Sequence, residues 1–192
     1  LEVLDQWTKI LDAGGSVDAI YLDYQKAFDS VPYRRLLCKV EACGVSGNVL
    51  RWIGDFLRDR TQRVVVNGSH SEQARVVSGI PQGSVIGPIL FVIYINDLPS
   101  CVQNVISLFA DDAKVFARSD CVGAPETLQE DLNSLQDWSD RWLLRFHPQK
   151  CSVLKLGNRK SEFEYSMRGI GDDGRECTVT IAEADSEKDL GI

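Results

Sequence analysis

The sequence predicts an α+β fold. Two antiparallel hairpin signals, helical apolar spacing in the segments around them, and a length of 192 residues that suits one domain, or one with an appendage, carry that prediction. Strands and helices alternate along the chain, but both hairpins are antiparallel, which points away from a doubly wound parallel sheet. Hydrophobic residues make up 44% and charged residues 26%, ordinary globular values.

Residues 1–12 carry Leu1, Leu4, Trp7 and Leu11 at helical spacing, and Gly14-Gly15 ends that helix. Val17 to Tyr24 reads as a buried strand through Val17, Ala19, Ile20 and Leu22. Pro32 opens a helix that runs to about Cys43 and stops at Gly44. A second helix covers roughly Gly47 to Arg58. Residues 61–66 and 72–77 alternate and flank Asn67-Gly68-Ser69, a strong hairpin signal. Ser84 can cap a helix from 85 to about 95, with Pro88 in its first turn, where a missing N–H matters least. The next two runs, Val105 to Ala110 and Ala113 to Ala117, are branched and aromatic, so they read as one hairpin with Asp111-Asp112 in its turn. Glu126 to Phe146 has Leu128, Leu132, Leu135, Trp138 and Trp142 at helical spacing, ended by His147-Pro148. Residues 151–156 read as a strand. After Gly157 come strand-like pieces at 162–166 and 177–181, separated by Gly171-Asp172-Asp173-Gly174. There are no repeats, no low-complexity tract and no long linker.

Composition excludes several classes of protein. Six cysteines without CxxC spacing and only two histidines argue against structural zinc, and read as reduced intracellular thiols. No signal peptide is visible, and the longest apolar run, Val85 to Ile95, is too short to span a bilayer and is interrupted by Gly87-Pro88. The net charge of −7 argues against nucleic-acid binding at first sight. Its distribution argues otherwise. Residues 161–192 hold 9 acidic and 3 basic residues, whereas 26–75 hold 9 basic and 5 acidic, and 141–160 hold 6 basic and none acidic. Two positive stretches remain that either face a phosphate backbone or are solvated surface.

Asp111-Asp112 is an awkward turn. Tight hairpins prefer Asn-Gly or Asp-Gly, and Asp-Asp places like charges together without a glycine. Either the pair is a solvated turn or a cation belongs there. Asp23 ends the apolar strand Ile20-Tyr21-Leu22, so it is either a turn residue or a third carboxylate of the same site. Three clustered carboxylates repel unless a metal neutralises them. Magnesium takes a few carboxylates plus waters and phosphates, and two such ions about 4 Å apart can activate a 3′-hydroxyl and stabilise a leaving pyrophosphate.

Three blocks then appear in order: Ile20-Tyr21-Leu22-Asp23 with Phe28-Asp29-Ser30-Val31-Pro32, Ser78-Gly79-Ile80-Pro81-Gln82-Gly83-Ser84, and Phe109-Ala110-Asp111-Asp112. Together they resemble the reverse transcriptase of LINE-type retrotransposons, which lack long terminal repeats. The likeness runs from about residue 1 to Lys188-Asp189-Leu190-Gly191-Ile192. The Pro-Gln-Gly loop counts against a two-metal nuclease.

The resemblance implies an RNA-directed DNA polymerase palm, with an antiparallel sheet packed on helices. It makes Asp23, Asp111 and Asp112 the catalytic metal ligands, with the backbone at Tyr24 beside them. Phe28 matches the aromatic gate that excludes a ribose 2′-hydroxyl. Pro81, Gln82 and Gly83 match the loop that packs on template and incoming nucleotide, its glycines allowing close backbone approach. Lys150 matches a lysine that contacts the triphosphate or protonates pyrophosphate, and Arg63, with Arg58 and Arg60, matches nucleic-acid contacts. His147 stands where the family more often has Asn, and Phe109 where it more often has Tyr. The implied cofactor is Mg²⁺, with Mn²⁺ as substitute, and the implied partners are RNA template, DNA primer and deoxynucleoside triphosphates, without a membrane. The palm is expected over about 16–160 with a fingers remnant, and 161–192 as an acidic β-rich tail at the thumb boundary. Fingers, thumb and an upstream endonuclease domain are expected outside this chain, and the site of action inside the cell, in the nucleus. The alternative is a decayed or co-opted fragment that binds nucleic acid or protein without chemistry.

Overall fold

A computed structural model describes residues 2–171 and 174–187. Leu1, the Asp172-Asp173 pair and the terminal Lys188–Ile192 segment lie outside the described residues. The chain forms two compact units. One holds the residues up to Gln25, Asp97–Arg141 and those from Arg145 onward, and the other holds Lys26–Asn96 with Trp142–Leu144. The 16–160 stretch, expected as palm with a fingers remnant, contributes residues to both units. Among the described residues no helix is long and apolar enough to cross a membrane.

The first unit is built on a five-stranded sheet ordered β11-β8-β1-β7-β6. These strands are β1 (Val17–Leu22), β6 (Val105–Phe109), β7 (Asp112–Arg118), β8 (Ser152–Leu156) and β11 (Ala182–Ala184). All neighbours are antiparallel except β11 with β8. Helix α1 (Glu2–Asp12) lays Trp7 over one face, where it meets Val17, Ala19 and Phe116. Trp7 and Phe116 pack edge to face at 5.5 Å. Alternation puts Ile20, Leu22, Val115 and Val153 on the other face, all buried. Asp18 shares that face and accepts a hydrogen bond from the Tyr165 hydroxyl at 2.8 Å. The long helix α6 (Ala124–Trp142) buries Leu128, Leu132 and Leu135 completely. Its Asp131 accepts the backbone N–H groups of Gln103 and Asn104 at 2.7 and 2.9 Å, which pins the entry to β6. Gln129 and Gln136 do the same for the β9–β10 hairpin (Ser166–Ile170 and Glu176–Thr180) through Ser166 and Arg168.

In the second unit the short helix α2 (Ala27–Ser30), missed in the sequence, precedes α3 (Tyr33–Ala42) and α4 (Gly47–Leu57). A broken hairpin pairs β2 (Thr61–Gln62) with β5 (Ala74–Arg75) and β3 (Val65–Val66) with β4 (Ser69–His70). Asn67 and Gly68 both take positive φ, 48° and 80°, as a two-residue type I′ turn demands. Helix α5 (Gly87–Ile95) buries Leu90, Phe91 and Tyr94. The Lys39 ammonium lies buried beside it, donating to the Tyr94 carbonyl at 2.6 Å and sitting 3.8 Å over the Trp142 ring.

Of the element boundaries that differ from the sequence expectation, three have a visible local cause. Helix α6 ends at Trp142, not Phe146, because Leu143 turns to φ 58° and Phe146 then bridges Tyr24 as an extra rung beside β1. Helix α5 starts at Gly87 rather than 85, although the Ser84 hydroxyl still accepts the Gly87 N–H at 3.1 Å. The strand expected at 162–166 begins only at Ser166, since Ser161 and Phe163 spend their carbonyls on the Lys155 ammonium.

The Tyr165–Asp18 bond makes a stability prediction. Burial, followed by the Asp18 charge and hydrogen bond and the Glu126 charge, raises the Tyr165 phenol above its ordinary pKa. A raised folded-state pKa gives stability that is full below the unfolded tyrosine value, about 10, and is lost as pH climbs through and beyond it. Tyr165→Phe should cost about 2 kcal/mol in urea unfolding at pH 7 and flatten the alkaline loss. An unchanged alkaline limb would assign that loss to other groups.

Candidate active site

The strand β1 and the β6–β7 hairpin build a cleft of about 240 Å³ on the same sheet face as α1, beyond the part that Trp7 covers. Leu22 pairs with Ala113 across β1 and β7, so one further step places Asp23 opposite Asp112. Both aspartates line the cleft. At its far side Asp112 pairs with Phe109. The hairpin turn is therefore Ala110-Asp111, not the Asp111-Asp112 turn expected from the sequence, and Asp112 is the first residue of β7. Ala110 takes φ 52°, a left-handed conformation that costs an alanine energy and that a glycine would adopt freely. Asp111 is exposed at the tip. The one-residue shift matters because strand alternation aims Asp112, not Asp111, at the same face as Lys114, Tyr21 and Ser107.

Two backbone bonds hold the 145–147 segment against the end of β1. The His147 N–H donates to the Asp23 carbonyl at 2.8 Å and the Gln25 N–H to the Arg145 carbonyl at 2.7 Å. In an antiparallel ladder the residue between such bonds turns its own N–H and C=O the other way, so the Tyr24 carbonyl is directed to the β7 side. The Tyr24 side chain is buried and stacks on Phe146 at 4.6 Å. Burial, then the charges of Cys151 and Asp111, raise its phenol pKa. A tight turn in which the N–H groups of Lys150 and Cys151 both donate to the His147 carbonyl brings Lys150 to the cleft wall, with its side chain exposed. Burial, partly offset by a hydrogen bond from the Asp23 backbone and reinforced by the Asp23 charge, pushes the Cys151 thiol up to about 11. It is thus a neutral, inert neighbour of Asp23 at pH 7.

The remaining expected residues belong to the second unit. Phe28 is half-buried and stacks on the fully buried Phe91 at 4.5 Å and 18°. The loop 79–83 is stitched to α2: the Ile80 N–H donates to the Phe28 carbonyl, and Gln82 donates to Asp29 Oδ1 at 3.2 Å. Gly79 sits at φ 96°, and a Cβ there would lie 2.7 Å from the Asp29 carbonyl oxygen. Its glycine requirement thus comes from this internal approach. Gly83, at φ 76°, has open space around it and leaves the backbone accessible. Gln82 and Arg63 are exposed.

Sequence reading overlooked Lys114, Tyr21, Ser107, Ser152 and Glu187 in the cleft wall. Lys114 is 8% exposed and lies 5.5 Å from the Trp7 ring centre. Period-two alternation from Asp112 could have found it. Glu187 could not be found that way, since the Ser152 hydroxyl reaches it across 35 residues of sequence.

Among the described residues no three His, Cys, Asp or Glu side chains converge as a closed metal cage. Magnesium does not require one, because it is held by one or two carboxylates while water and substrate phosphates complete its shell. Asp23 and Asp112 in one open wall supply such a donor set.

A mixed sheet whose central strands present paired carboxylates to an open cleft is the architecture of a nucleotide-polymerising palm. The chain belongs to the reverse transcriptase (RNA-dependent DNA polymerase) family, whose profile matches residues 7–170. It is 32% identical over 181 residues to the RNA-directed DNA polymerase from mobile element jockey of Drosophila melanogaster, covering 90% of this chain and 19% of that protein. It is 34% identical over 154 residues to the probable RNA-directed DNA polymerase from transposon BS of the same fly, covering 72% and 17%. The chain thus spans under a fifth of the length of these curated relatives. The structure of apo telomerase from Candida tropicalis, truncated from its C-terminal domain, superposes with a TM-score of 0.61 at 14% identity, covering 86% of this chain and 36% of that one. At that identity the likeness concerns the fold. Reverse transcriptases as a family use divalent metal ions and RNA templates.

Proposed function

We propose that this domain carries the nucleotidyl-transfer centre of an RNA-directed DNA polymerase. It would extend a DNA primer on an RNA template with deoxynucleoside triphosphates and release pyrophosphate. The observation that carries this reading is the cleft shared by Asp23, Asp112 and Lys150. Asp23 and Asp112, with Asp111 at the adjoining tip and the Tyr24 carbonyl, would hold Mg²⁺, for which Mn²⁺ can substitute. Bound there, the ions would supply charge stabilisation to the attacking and leaving oxygens. The chain's own contribution is positional. The β1–β7 register sets the spacing of the carboxylates, α1 and the sheet shield one side from water, and Lys150 offers a cation to the departing phosphates. The Pro81-Gln82-Gly83 loop and Arg63 contact template and nucleotide in this reading. The sheet unit is the palm within 16–160, Lys26–Asn96 includes the fingers remnant, and the 161–192 tail leads to the thumb boundary.

The test is Mg²⁺-dependent primer extension on an RNA template by a chain that continues this domain on both sides. A chain that binds template and primer yet extends nothing is a binding module instead. The same assay probes Phe28. Its ring is held against Phe91, so Phe28→Val opens volume above that ring, and ribonucleotide incorporation should rise about 10-fold or more relative to deoxyribonucleotide. Unchanged sugar selection in Phe28→Val would return Phe28 to a packing role.

A further inference from the structure

Helix α4 exposes an aromatic face that the cleft chemistry does not use. Trp52 is 56% and Val49 57% solvent-exposed, whereas the other tryptophans are buried or half-buried. Trp52 stacks on Phe56 with centroids 6.2 Å apart and planes 25° off parallel. The Arg60 guanidinium continues the pile, 5.5 Å from the Phe56 centroid. Residues 47–63 hold four arginines, Arg51, Arg58, Arg60 and Arg63, all exposed, against two aspartates, Asp55 and Asp59. Arg60 also lines a groove with Tyr33, Gln62, Ser78 and Gln82, so the pile runs directly into the Pro81-Gln82-Gly83 loop.

We propose that the Trp52–Phe56–Arg60 face is a docking track for single-stranded nucleic acid, carrying unpaired bases to or from the Gln82 groove. Exposed tryptophan in a solvated helix face offers a flat apolar ring for a base to cover. A ring–ring–guanidinium pile flanked by arginines suits alternating bases and phosphates, since every base presents a π-face and every linkage a negative charge. Paired bases present no free face, so the track selects single strands. Ring stacking and phosphate pairing on the pile read no base edges, so binding there is tolerant of sequence. The proposal adds a partner surface to the polymerase reading but does not rest on cleft chemistry.

The experiment uses the purified chain without nucleotides, a fluorescein-labelled 12-nucleotide oligo(U) RNA and the same RNA paired to oligo(A). Anisotropy titration should show preference for the single strand, with tryptophan fluorescence quenched on binding. Trp52→Ala should weaken binding about 10-fold, Trp52→Tyr should restore most of it, and Arg60→Ala should lower the salt slope by about 0.7. Thermal melts monitor folding, and because Trp52 is exposed these variants keep the wild-type Tm. Oligo(U) affinity unchanged in Trp52→Ala overturns the track. So does concentration-dependent dimerisation in sedimentation that Trp52→Ala abolishes, which assigns the face to a second copy. Because this titration measures no extension, a continued chain that extends no primer while oligo(U) binding here stays intact refutes the polymerase reading alone.

Discussion

Asp112→Asn, in a chain that continues this domain on both sides, lowers single-turnover primer extension by about 10³-fold or more and leaves template–primer affinity nearly unchanged. Asparagine keeps the volume and the pairing of the β7 backbone with Phe109 and loses only the charge. That charge is what a hard divalent cation selects. Asp23→Asn should lose as much, because the β1–β7 register sets the two carboxylates opposite each other in one cleft wall. Asp111→Asn is expected to follow them, from its place at the tip beside the cleft. Isothermal titration with Mg²⁺ provides a readout apart from turnover: the substituted cleft should bind the ion more weakly. Extension at the wild-type rate by either Asp23→Asn or Asp112→Asn would end the polymerase reading of the cleft.

Asp131→Ala is expected to destabilise the sheet unit by about 3–5 kcal/mol in urea. The residue is almost fully buried in α6 and accepts three hydrogen bonds, from the Gln103 and Asn104 backbone and from Asn104 Nδ2. Its removal strands two part-buried backbone N–H groups at the point where the chain enters β6. Asp131→Asn, which keeps an acceptor oxygen but loses charge, should cost roughly half as much. The effect reaches the cleft, since β6 sets the hairpin turn at Ala110-Asp111 that starts β7 at Asp112. Hydrogen exchange should show β6 and the turn opening first in Asp131→Ala. A loss below about 1 kcal/mol, the ordinary value of a single neutral bond, would mean that Trp138 and its bond to Asp97 hold α6 without help.

Local physics made most elements legible. The alternation in Val17–Leu22 and the β7 run, the spacing of Leu128, Leu132 and Leu135, and Asn67-Gly68 each encode structure within a few residues. Errors fell where distant partners compete with propensity. Trp142 to Phe146 keep apolar helical spacing, yet Phe146 leaves the helix to stack on Tyr24, more than a hundred residues away in sequence. At the hairpin tip the competing pair was local instead. Asp-Asp reads as the turn by composition, but pairing of Phe109 with Asp112 moves the turn back by one residue at the expense of a left-handed alanine.

The candidate site divides in the same way. By itself the sequence determined the carboxylates, the Pro81-Gln82-Gly83 loop, Phe28 and the α+β class, because residue identity and short spacing are local properties of the chain. Only the tertiary structure decided that Asp23 and Asp112 line one cleft, that Glu187 joins it, and that Trp52 lies bare to solvent. Those facts depend on strand register and burial, which are set by contacts between residues far apart in the chain and leave no periodic trace in the sequence.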